Sequence, residues 1–378
     1  MLHRVYLVPG MFGFGTLASY KYFGHIERAI KNEFTARKKE VVCFIADVPP
    51  TASIRRRAEK LARLIAKTHS DGPEDKGPIH LIGHSTGGLD ARLVASSCKT
   101  LLGAQADLRW LDRVRSVTCV NTPHYGTPLA TFFATAKGQR MLSAVSALTV
   151  VGLSLGAPPL AVASGMVLGL GRIDKMFGLE LSLMDRTVDT LVATLEEAKR
   201  ADVRSFLEAV RGDQGAVLQL TPEAMDLFTA GVEDREGIRY QSTVSMVPPQ
   251  TTPMLPKLFQ SPWRVVSAPL FSTMSRLASS MDEHYACAPA ALSLASEEIL
   301  RRAFGVLPSQ RSSDGVVPLY SQVWGDLVWA GVADHLDVIG HFSDPNGDHR
   351  DWLSSGAKFT TEKFRALTGA IVDGIADL

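Results

Sequence analysis

Short apolar runs and amphipathic stretches alternate along much of the chain. The runs rich in strand-forming residues are Val5–Val8, Val41–Ile45, Ile79–Ile82, Val114–Val120, Ile238–Val247 and Leu327–Val332. Between the first four, apolar residues recur at helical spacing, as Ile54, Ala58, Leu61 and Ile65 do. Alternation of this kind predicts parallel strands joined by helical crossovers. We therefore predict an α/β protein with a mostly parallel sheet flanked by helices.

Several helices can be predicted individually. Helical spacing extends from about Leu17 to Phe34, and again over Met184–Lys199, where the apolar face includes Val188 and Leu195. A further amphipathic helix begins near Ala357. The helix that Ser53 caps has a basic face, which we expect to be a solvated surface rather than a membrane-binding patch. Its basic residues are Arg55, Arg56, Arg57, Lys60 and Arg63.

The alternation stops in the middle of the chain. From about Leu129 to Gly231 the pattern is helical, and residues 141–171 contain no acidic residue, basic residue or histidine. A membrane-spanning helix needs about 20 apolar residues, but Pro158 and Pro159 divide this run. We predict an apolar helical hairpin instead. Residues 1–128 and 237–378 are assigned to the core, and residues 129–236 to a helical cap inserted in it.

Composition says more about the possible partners of the chain than about its fold. The chain has 378 residues, of which 46% are hydrophobic and 21% charged, enough for a large core. Its net charge of +1 argues against nucleic acid as a partner. No signal-peptide pattern precedes the first apolar strand. We expect either a cytoplasmic protein or the trimmed form of a secreted one.

A Gly-x-Ser-x-Gly pattern occupies residues 83–87, directly after an apolar strand and directly before a helical stretch. This context is typical of a nucleophile elbow, in which a serine stands on a tight turn above a parallel sheet. The glycines remove side chains that would collide with neighbouring backbone. Ser85 is therefore the candidate nucleophile.

A serine hydroxyl needs a base to take its proton, and the base needs an acid to orient it. On a nucleophile elbow the partners follow in the order serine, acid, histidine. Asp314, in a Ser-Ser-Asp-Gly turn, suits the acid, and Asp326 is an alternative that lies closer to the next strand. The later histidines are His335, His341 and His349. His335 directly follows the last strand and is favoured, His341 is the alternative, and His349 suits a polar surface loop.

The tetrahedral intermediate that forms when the serine attacks an ester carries an oxyanion, which needs two N–H donors. The residue after the nucleophile, Thr86, supplies one, and the loop after the first strand supplies the other. Met11 follows Gly10 in that loop and is the natural candidate. Only its backbone N–H is required, so its side chain can line an acyl pocket.

Together these motifs resemble those of the bacterial true lipases, the triacylglycerol lipases of the α/β-hydrolase superfamily. The matching segments are residues 9–14, 83–88, 122–127, 313–317 and 334–337. They include both ends of the chain and none of the cap, and Pro9 replaces the histidine with which the family's oxyanion loop usually begins. The resemblance implies the α/β-hydrolase fold, a triad of Ser85, Asp314 and His335, and an oxyanion hole of Met11 and Thr86. It also implies hydrolysis of medium- or long-chain carboxylic esters through an acyl-enzyme.

The resemblance further implies a structural calcium ion that stabilises the histidine loop. Asp337, two residues past His335, corresponds to one ligand, and Asp344, followed by Pro345, resembles another at slightly longer spacing. Carboxylate oxygens suit calcium, although the remaining ligands are not identified and the zinc site of some relatives is not present in the sequence. The chemistry itself requires no cofactor.

The partners implied are a lipid or ester substrate and, through the cap, transient contact with a lipid interface. In the family, lids lie where residues 129–236 are inserted, and the uncharged run at 141–171 suits an apolar hairpin that covers an acyl groove. An acyltransferase, a thioesterase or a polyester depolymerase would use the same triad, because each forms an acyl-enzyme and the sequence does not fix the acceptor or the polymer. A non-catalytic lipid-binding protein is a further alternative, which an intact Ser-Asp-His set disfavours.

Overall fold

A computed structural model describes residues 1–11, 16–17, 20–69, 77–96, 108–155, 188–190, 192–193, 195–248, 264–280, 284–344, 349, 351, 353 and 355–378. The strands are β1 (Leu2–Val8), β2 (Thr16–Leu17), β3 (Tyr20–Lys21), β4 (Glu40–Ile45), β5 (Ile79–His84), β6 (Val114–Val120), β7 (Arg239–Met246) and β8 (Asp326–Val332). The α-helices are α1 (Gly24–Ala36), α2 (Ile54–Thr68), α3 (Thr86–Ala95), α4 (Pro128–Phe133), α5 (Ala136–Leu155), α6 (Glu197–Gly212), α7 (Gly215–Gln219), α8 (Pro222–Gly231), α9 (Arg264–Ala278), α10 (Leu294–Phe304) and α11 (Thr361–Asp373).

Six strands form one parallel sheet in the order β4–β1–β5–β6–β7–β8. The register aligns their carboxyl ends: Val8 pairs with Gly83, His84 with Val120, and Val120 with Thr243. The loops that carry Met11, Ser85 and the residues after β8 therefore leave the same edge of the sheet. This is the edge at which parallel α/β sheets bind their ligands.

Helices cover both faces of the sheet, so the central strands β5 and β6 are almost continuously buried. On one face, α1 and α11 pack against alternate strand residues such as Val5 and Leu7. On the other face, α2 and α3 pack against Tyr6 and Val8. The predicted α/β-hydrolase architecture, a mostly parallel sheet between helical layers, is confirmed.

Two helix predictions were wrong in their bounds. Leu17 lies in β2, and Tyr20 and Lys21 form β3, so these residues belong to a short antiparallel pair, and α1 begins only at Gly24. The predicted helix Met184–Lys199 is interrupted at Leu195 and Glu196, and α6 begins at Glu197, with Glu196 as its N-cap. Val188 and Leu195 are nevertheless buried, as the apolar pattern predicted.

The basic face of α2 also differs from the expectation. Arg55, Arg56 and Arg63 are largely exposed, but the Arg57 side chain is fully buried beside Asp90. The helical spacing shows only that Arg57 lies outside the apolar face of the helix. The buried partner that draws it inward comes from α3, far away in sequence.

Between β6 and β7 the described residues form helices and no strand. The first arm of the predicted apolar hairpin is α5, whereas Pro158, Pro159 and the second arm lie outside the described residues. Within the described part of the chain, no helix combines the length and the apolar character that a membrane crossing requires. The division into core and cap stays a prediction.

Candidate active site

Ser85 occupies a strained turn between β5 and α3. Its φ of 55° and ψ of −130° lie in a region that residues with a side chain rarely adopt. A Cβ atom on Gly83 would lie 2.2 Å from the Gly87 carbonyl oxygen, and one on Gly87 would lie 2.2 Å from the Val8 carbonyl oxygen. Because no side chain fits there, glycine at both positions lets the turn close and presents Ser85 at the edge of the sheet.

Ser85 and His335 line one pocket beneath the helices that follow β6. The pocket contains about 750 Å³ of empty space, part of it open to solvent. Ser85 itself is only 6% exposed. The hydroxyl therefore faces an apolar chamber rather than bulk water.

His335, which lines this chamber, forms a short hydrogen bond with Asp314, which lies behind it. The Nδ1–H of His335 donates to Oδ2 of Asp314 at 2.6 Å, and the His335 backbone N–H donates to the Asp314 carbonyl oxygen at 3.1 Å. With Nδ1 used in this way, Nε2 is the ring nitrogen left for Ser85. The structure thus brings the three predicted triad residues together at one edge of the sheet.

The Asp314 carboxylate is fully buried and has several other donors. Its Oδ1 accepts the backbone N–H groups of Val316 at 2.9 Å and Val317 at 2.8 Å. Its Oδ2 accepts the side-chain amide of Asn121 at 2.9 Å in addition to His335. These bonds stabilise a buried negative charge that would otherwise be costly.

The alternative acid and histidines lie elsewhere. Asp326 is the first residue of β8, so it lies at the amino-terminal end of the strands, away from Ser85. It forms an exposed ion pair with Arg239. His341 is buried and its Nε2 hydrogen-bonds the Tyr22 carbonyl oxygen. His349 is half-buried rather than the surface residue expected, and its Nδ1 bonds the Gly340 carbonyl oxygen.

His84, the variable residue before Ser85, contacts the candidate base. Its Nε2–H donates to the His335 carbonyl oxygen at 2.8 Å, and the two rings are 4.6 Å apart. Burial lowers the pKa of His84 well below its usual value, so the ring is neutral. This contact was missed in the sequence because the pattern leaves position 84 unspecified.

The predicted oxyanion donors flank Ser85. Thr86 begins α3, so its N–H lies outside the helix's own hydrogen-bond ladder. Gly10 packs directly on the nucleophile, since a Cβ there would lie 2.6 Å from the Ser85 Cβ, and Met11 follows it and lines the pocket. The loop is fastened from behind by Arg57, whose Nη2 donates to the Pro9 carbonyl oxygen at 2.5 Å.

Most of the rest of the pocket is apolar: apart from Ser85 and His335, the polar residues among its described lining are Tyr22, Thr127 and Thr149, and none is acidic or basic. Helices α4 and α5 supply much of the wall. Two further lining residues, Met274 of α9 and Leu353, come from segments that no sequence motif had assigned to the site. The apolar lining residues are Met11, Pro123, Leu129, Ala130, Phe133, Val145, Leu220, Met274, Val316, Val317, Leu336 and Leu353.

The predicted calcium ligands fit an ion only in part. Asp337 is buried and its Oδ2 accepts the Asp334 backbone N–H at 2.9 Å. Burial raises the pKa of Asp334 to about 6, and burial with the nearby Asp334 charge raises that of Asp337 well above its usual value. Asp344 is half-exposed. Across the described residues, no three acidic, histidine or cysteine side chains form a metal-binding group.

The chain shares sequence with two curated bacterial enzymes. It is 32% identical over 154 residues to the triacylglycerol lipase of Vibrio cholerae, which is 41% of this chain and 42% of that protein. It is 30% identical over 128 residues to the triacylglycerol lipase of Pseudomonas fragi, which is 34% of this chain and 37% of that protein. The chain thus spans about two fifths of the length of these curated relatives. No protein-family model matches it.

The fold is shared more widely than the sequence. The structure of EstA from Clostridium botulinum matches with a TM-score of 0.51 and 18% identity, over 97% of this chain and 88% of that chain. A likeness at this identity identifies the fold, and the curated relatives add the sequence relationship. The chain therefore has the fold of the α/β-hydrolases and, over about two fifths of its length, is similar in sequence to two bacterial triacylglycerol lipases.

Proposed function

We propose that the chain is a serine hydrolase that cleaves carboxylic esters of lipids through an acyl-enzyme. The observation that carries the proposal is the 2.6 Å bond from His335 to Asp314, beside Ser85 on a strained elbow. The relatives named above are lipases, so hydrolysis is proposed rather than acyl transfer, thioester cleavage or lipid binding alone.

In the acylation step, the Ser85 hydroxyl oxygen attacks the ester carbonyl carbon while Nε2 of His335 takes the hydroxyl proton. The resulting oxyanion accepts hydrogen bonds from the backbone N–H groups of Thr86 and Met11. Asp314 holds His335 in the tautomer that leaves Nε2 free and stabilises the imidazolium. The tetrahedral intermediate then collapses, and His335 donates the proton to the leaving alcohol oxygen.

In the deacylation step, a water molecule takes the place of the alcohol. Nε2 of His335 removes a proton from the water, whose oxygen attacks the acyl carbon. A second tetrahedral intermediate forms at the same donors and releases the carboxylic acid. The proton returns from His335 to the Ser85 oxygen, so the enzyme is regenerated.

The substrate class follows from the pocket. A lining without acidic or basic side chains apart from His335 suits a hydrocarbon acyl chain, because burying its apolar surface stabilises the complex by about 25 cal/mol per Å². A charged acyl group would lose its hydration and find no counter-ion among the described lining residues. We therefore propose esters of medium to long acyl chains.

The test is hydrolysis of p-nitrophenyl esters from butyrate to palmitate by the wild type and Ser85→Ala. We expect cleavage of the longer esters and a loss of about 10³-fold or more in kcat for the variant. Ser116→Ala is the matched control, because Ser116 is a buried serine at the opposite end of the neighbouring strand, where it bonds His80. Hydrolysis by Ser85→Ala at the wild-type rate would contradict the proposal.

The helices of residues 129–236 are proposed as a lid that contacts a lipid interface. With Ser85 only 6% exposed, a substrate of lipid size needs these helices to move. The rate should therefore rise abruptly when the ester concentration passes its solubility limit. A smooth saturation curve through that limit would contradict the lid.

A structural calcium ion is proposed at Asp337, with no catalytic step assigned to it. The two buried carboxylates, Asp334 and Asp337, would gain from a nearby cation. We expect calcium to raise the melting temperature of the chelator-treated wild type and to have no effect on Asp337→Asn. An unchanged wild-type melting temperature would rule the ion out.

A further inference from the structure

A buried amide follows β6 at the edge where the candidate triad meets. Asn121 is fully buried and has a φ of 49°, in the left-handed region that asparagine tolerates better than most residues. Its backbone N–H donates to the Thr243 carbonyl oxygen of β7 at 3.2 Å. The side chain is thereby held between the ends of two strands, next to the acid.

The orientation of this amide follows from its acceptors. Nδ2 donates to Oδ2 of Asp314 at 2.9 Å and to the Ser245 hydroxyl oxygen at 2.6 Å. A carboxylate only accepts, so the NH₂ group must face Asp314. Oδ1 of Asn121 is buried with no hydrogen-bond partner among the described residues, which is a cost. Position 121 thus holds an amide whose NH₂ group is fully used, although its oxygen has no hydrogen-bond partner among the described residues.

We propose that Asn121 is a positioning residue that fixes the Asp314 carboxylate for proton transfer through His335. The inference rests on the proposed function. The two loop amides hold Oδ1, whereas the Asn121 amide and His335 share Oδ2. Asn121 is thus the donor that keeps Oδ2 charged and aligned while the imidazolium forms beside it.

The placement of Asn121 is itself supported. The Ser245 backbone N–H donates to Oε1 of Gln322 at 2.8 Å, and Nε2 of Gln322 donates back to the Ser245 carbonyl oxygen at 3.1 Å. The same Nε2 donates to the carbonyl oxygen of Val317 at 3.0 Å. A closed network of hydrogen bonds therefore links Ser245, the partner of Asn121, to the loop that holds Asp314. Asp314 and its donor Asn121 are thus held in one unit.

The first variant is Asn121→Leu, which removes the amide and keeps a similar volume. We expect kcat for a p-nitrophenyl ester to fall about 10- to 100-fold, as for loss of a hydrogen bond to a charged group. KM should be unchanged, because Asn121 does not line the pocket. Asn121→Ser, whose hydroxyl is too short to reach Oδ2, should show the same loss and substitutes if the leucine variant does not fold.

Gln241→Leu is the matched control. Gln241 is also a fully buried amide, which donates to the Thr118 hydroxyl oxygen at 2.9 Å and to the Ile371 carbonyl oxygen at 3.0 Å. Its Oε1, like Oδ1 of Asn121, has no hydrogen-bond partner among the described residues. Neither of these hydrogen bonds involves Asp314, and Gln241 does not line the pocket. We expect a loss of stability, without the backbone strain that leucine adds at the φ of 49° of Asn121, and kcat within about twofold of the wild type.

The deciding measurement places Asn121→Leu in an Asp314→Asn background. A residue that acts through Asp314 should cause no further loss of kcat there, whereas an equal loss in both backgrounds overturns the inference. Wild-type kcat in Asn121→Leu also overturns it. If a fluorophosphonate labels neither the wild type nor Ser85→Ala, and the two hydrolyse esters equally, the proposed function fails and the inference fails with it.

Discussion

Arg57→Met tests how the oxyanion loop is held. The guanidinium is fully buried and contacts the carboxylate of Asp90 at 2.8 Å. It also donates to the carbonyl oxygens of Pro49 at 2.7 Å, Pro50 at 3.2 Å and Pro9 at 2.5 Å. Methionine keeps an unbranched apolar side chain and removes every donor. The variant therefore leaves one buried charge and three carbonyl groups without this partner.

The expected cost can be estimated from these contacts. Removing one member of a buried ion pair costs about 3–5 kcal/mol, and each stranded carbonyl group adds about 1 kcal/mol. The sum, about 6–8 kcal/mol, is comparable with the whole stability of many domains, about 5–15 kcal/mol. Burial raises the pKa of Asp90 to about 6, so in the variant the stranded acid takes up a proton more readily. The cost should consequently be larger at pH 8 than at pH 5.

The assay pairs urea unfolding with ester hydrolysis in Arg57→Met and Arg57→Met/Asp90→Asn. The double variant should recover most of the ion-pair cost, because it no longer buries an uncompensated charge. Its kcat should stay at least about tenfold low, since the Pro9 carbonyl still lacks the donor that fixes the loop before Met11. Recovery of both stability and kcat would refute the role in the loop. A loss of less than about 1 kcal/mol in Arg57→Met would refute the buried-pair reasoning itself.

Three further predictions concern the nucleophile, the pocket and the opposite edge of the sheet. Gly10→Ala puts a Cβ 2.6 Å from the Ser85 Cβ, so kcat should fall about 100-fold with a stability loss of about 1–3 kcal/mol; an active variant would contradict the packing. Met274→Trp should lower kcat/KM about tenfold for dodecanoate but not for butyrate, and equal effects would exclude a role for α9 in acyl selection. Burial lowers the pKa of His80 from 6.5 to about 3, so its neutral form stabilises the fold fully above about pH 6.5 and less as the pH falls. Between pH 6 and 4, the free energy of unfolding of His80→Leu should therefore fall by about 1.4 kcal/mol less per pH unit than that of the wild type. Urea unfolding measures this slope, and an unchanged slope would contradict the prediction.

The sequence was sufficient for those parts of the fold that local patterns determine. Each run of strand-forming residues became a strand of the parallel sheet, and glycines 83 and 87 marked the elbow around Ser85. Order along the chain then left few candidates for an acid and a histidine, and the chosen Asp314 and His335 lie within hydrogen-bond distance. The prediction of the fold succeeds because turn chemistry and side-chain period act over short distances, whereas the roles of Ser85, Asp314 and His335 stay predictions.

Contacts between distant segments could not be predicted in this way. Arg57 bonds a carboxylate on α3 and a carbonyl after β1, and nothing in its own helix marks it as buried. Asn121 and Asp314 meet across 193 positions of sequence. Leu17, Tyr20 and Lys21 illustrate a different limit, since the spacing predicted a helix but these residues lie in the short strand pair β2–β3. Tertiary pairing outweighed a weak local preference there.

The strand order also affects the protein while it is being synthesised. Strands β1, β4, β5 and β6 precede residue 121, whereas β7 begins at Arg239 and β8 at Asp326. At about 5–20 residues per second, a ribosome needs roughly 6–24 seconds to produce the intervening segment. During that interval the buried strand β6 has an unpaired, apolar edge, which is a site for pairing with other nascent chains. A lower growth temperature or additional chaperones should therefore raise the soluble yield more than a mutation confined to the active site does.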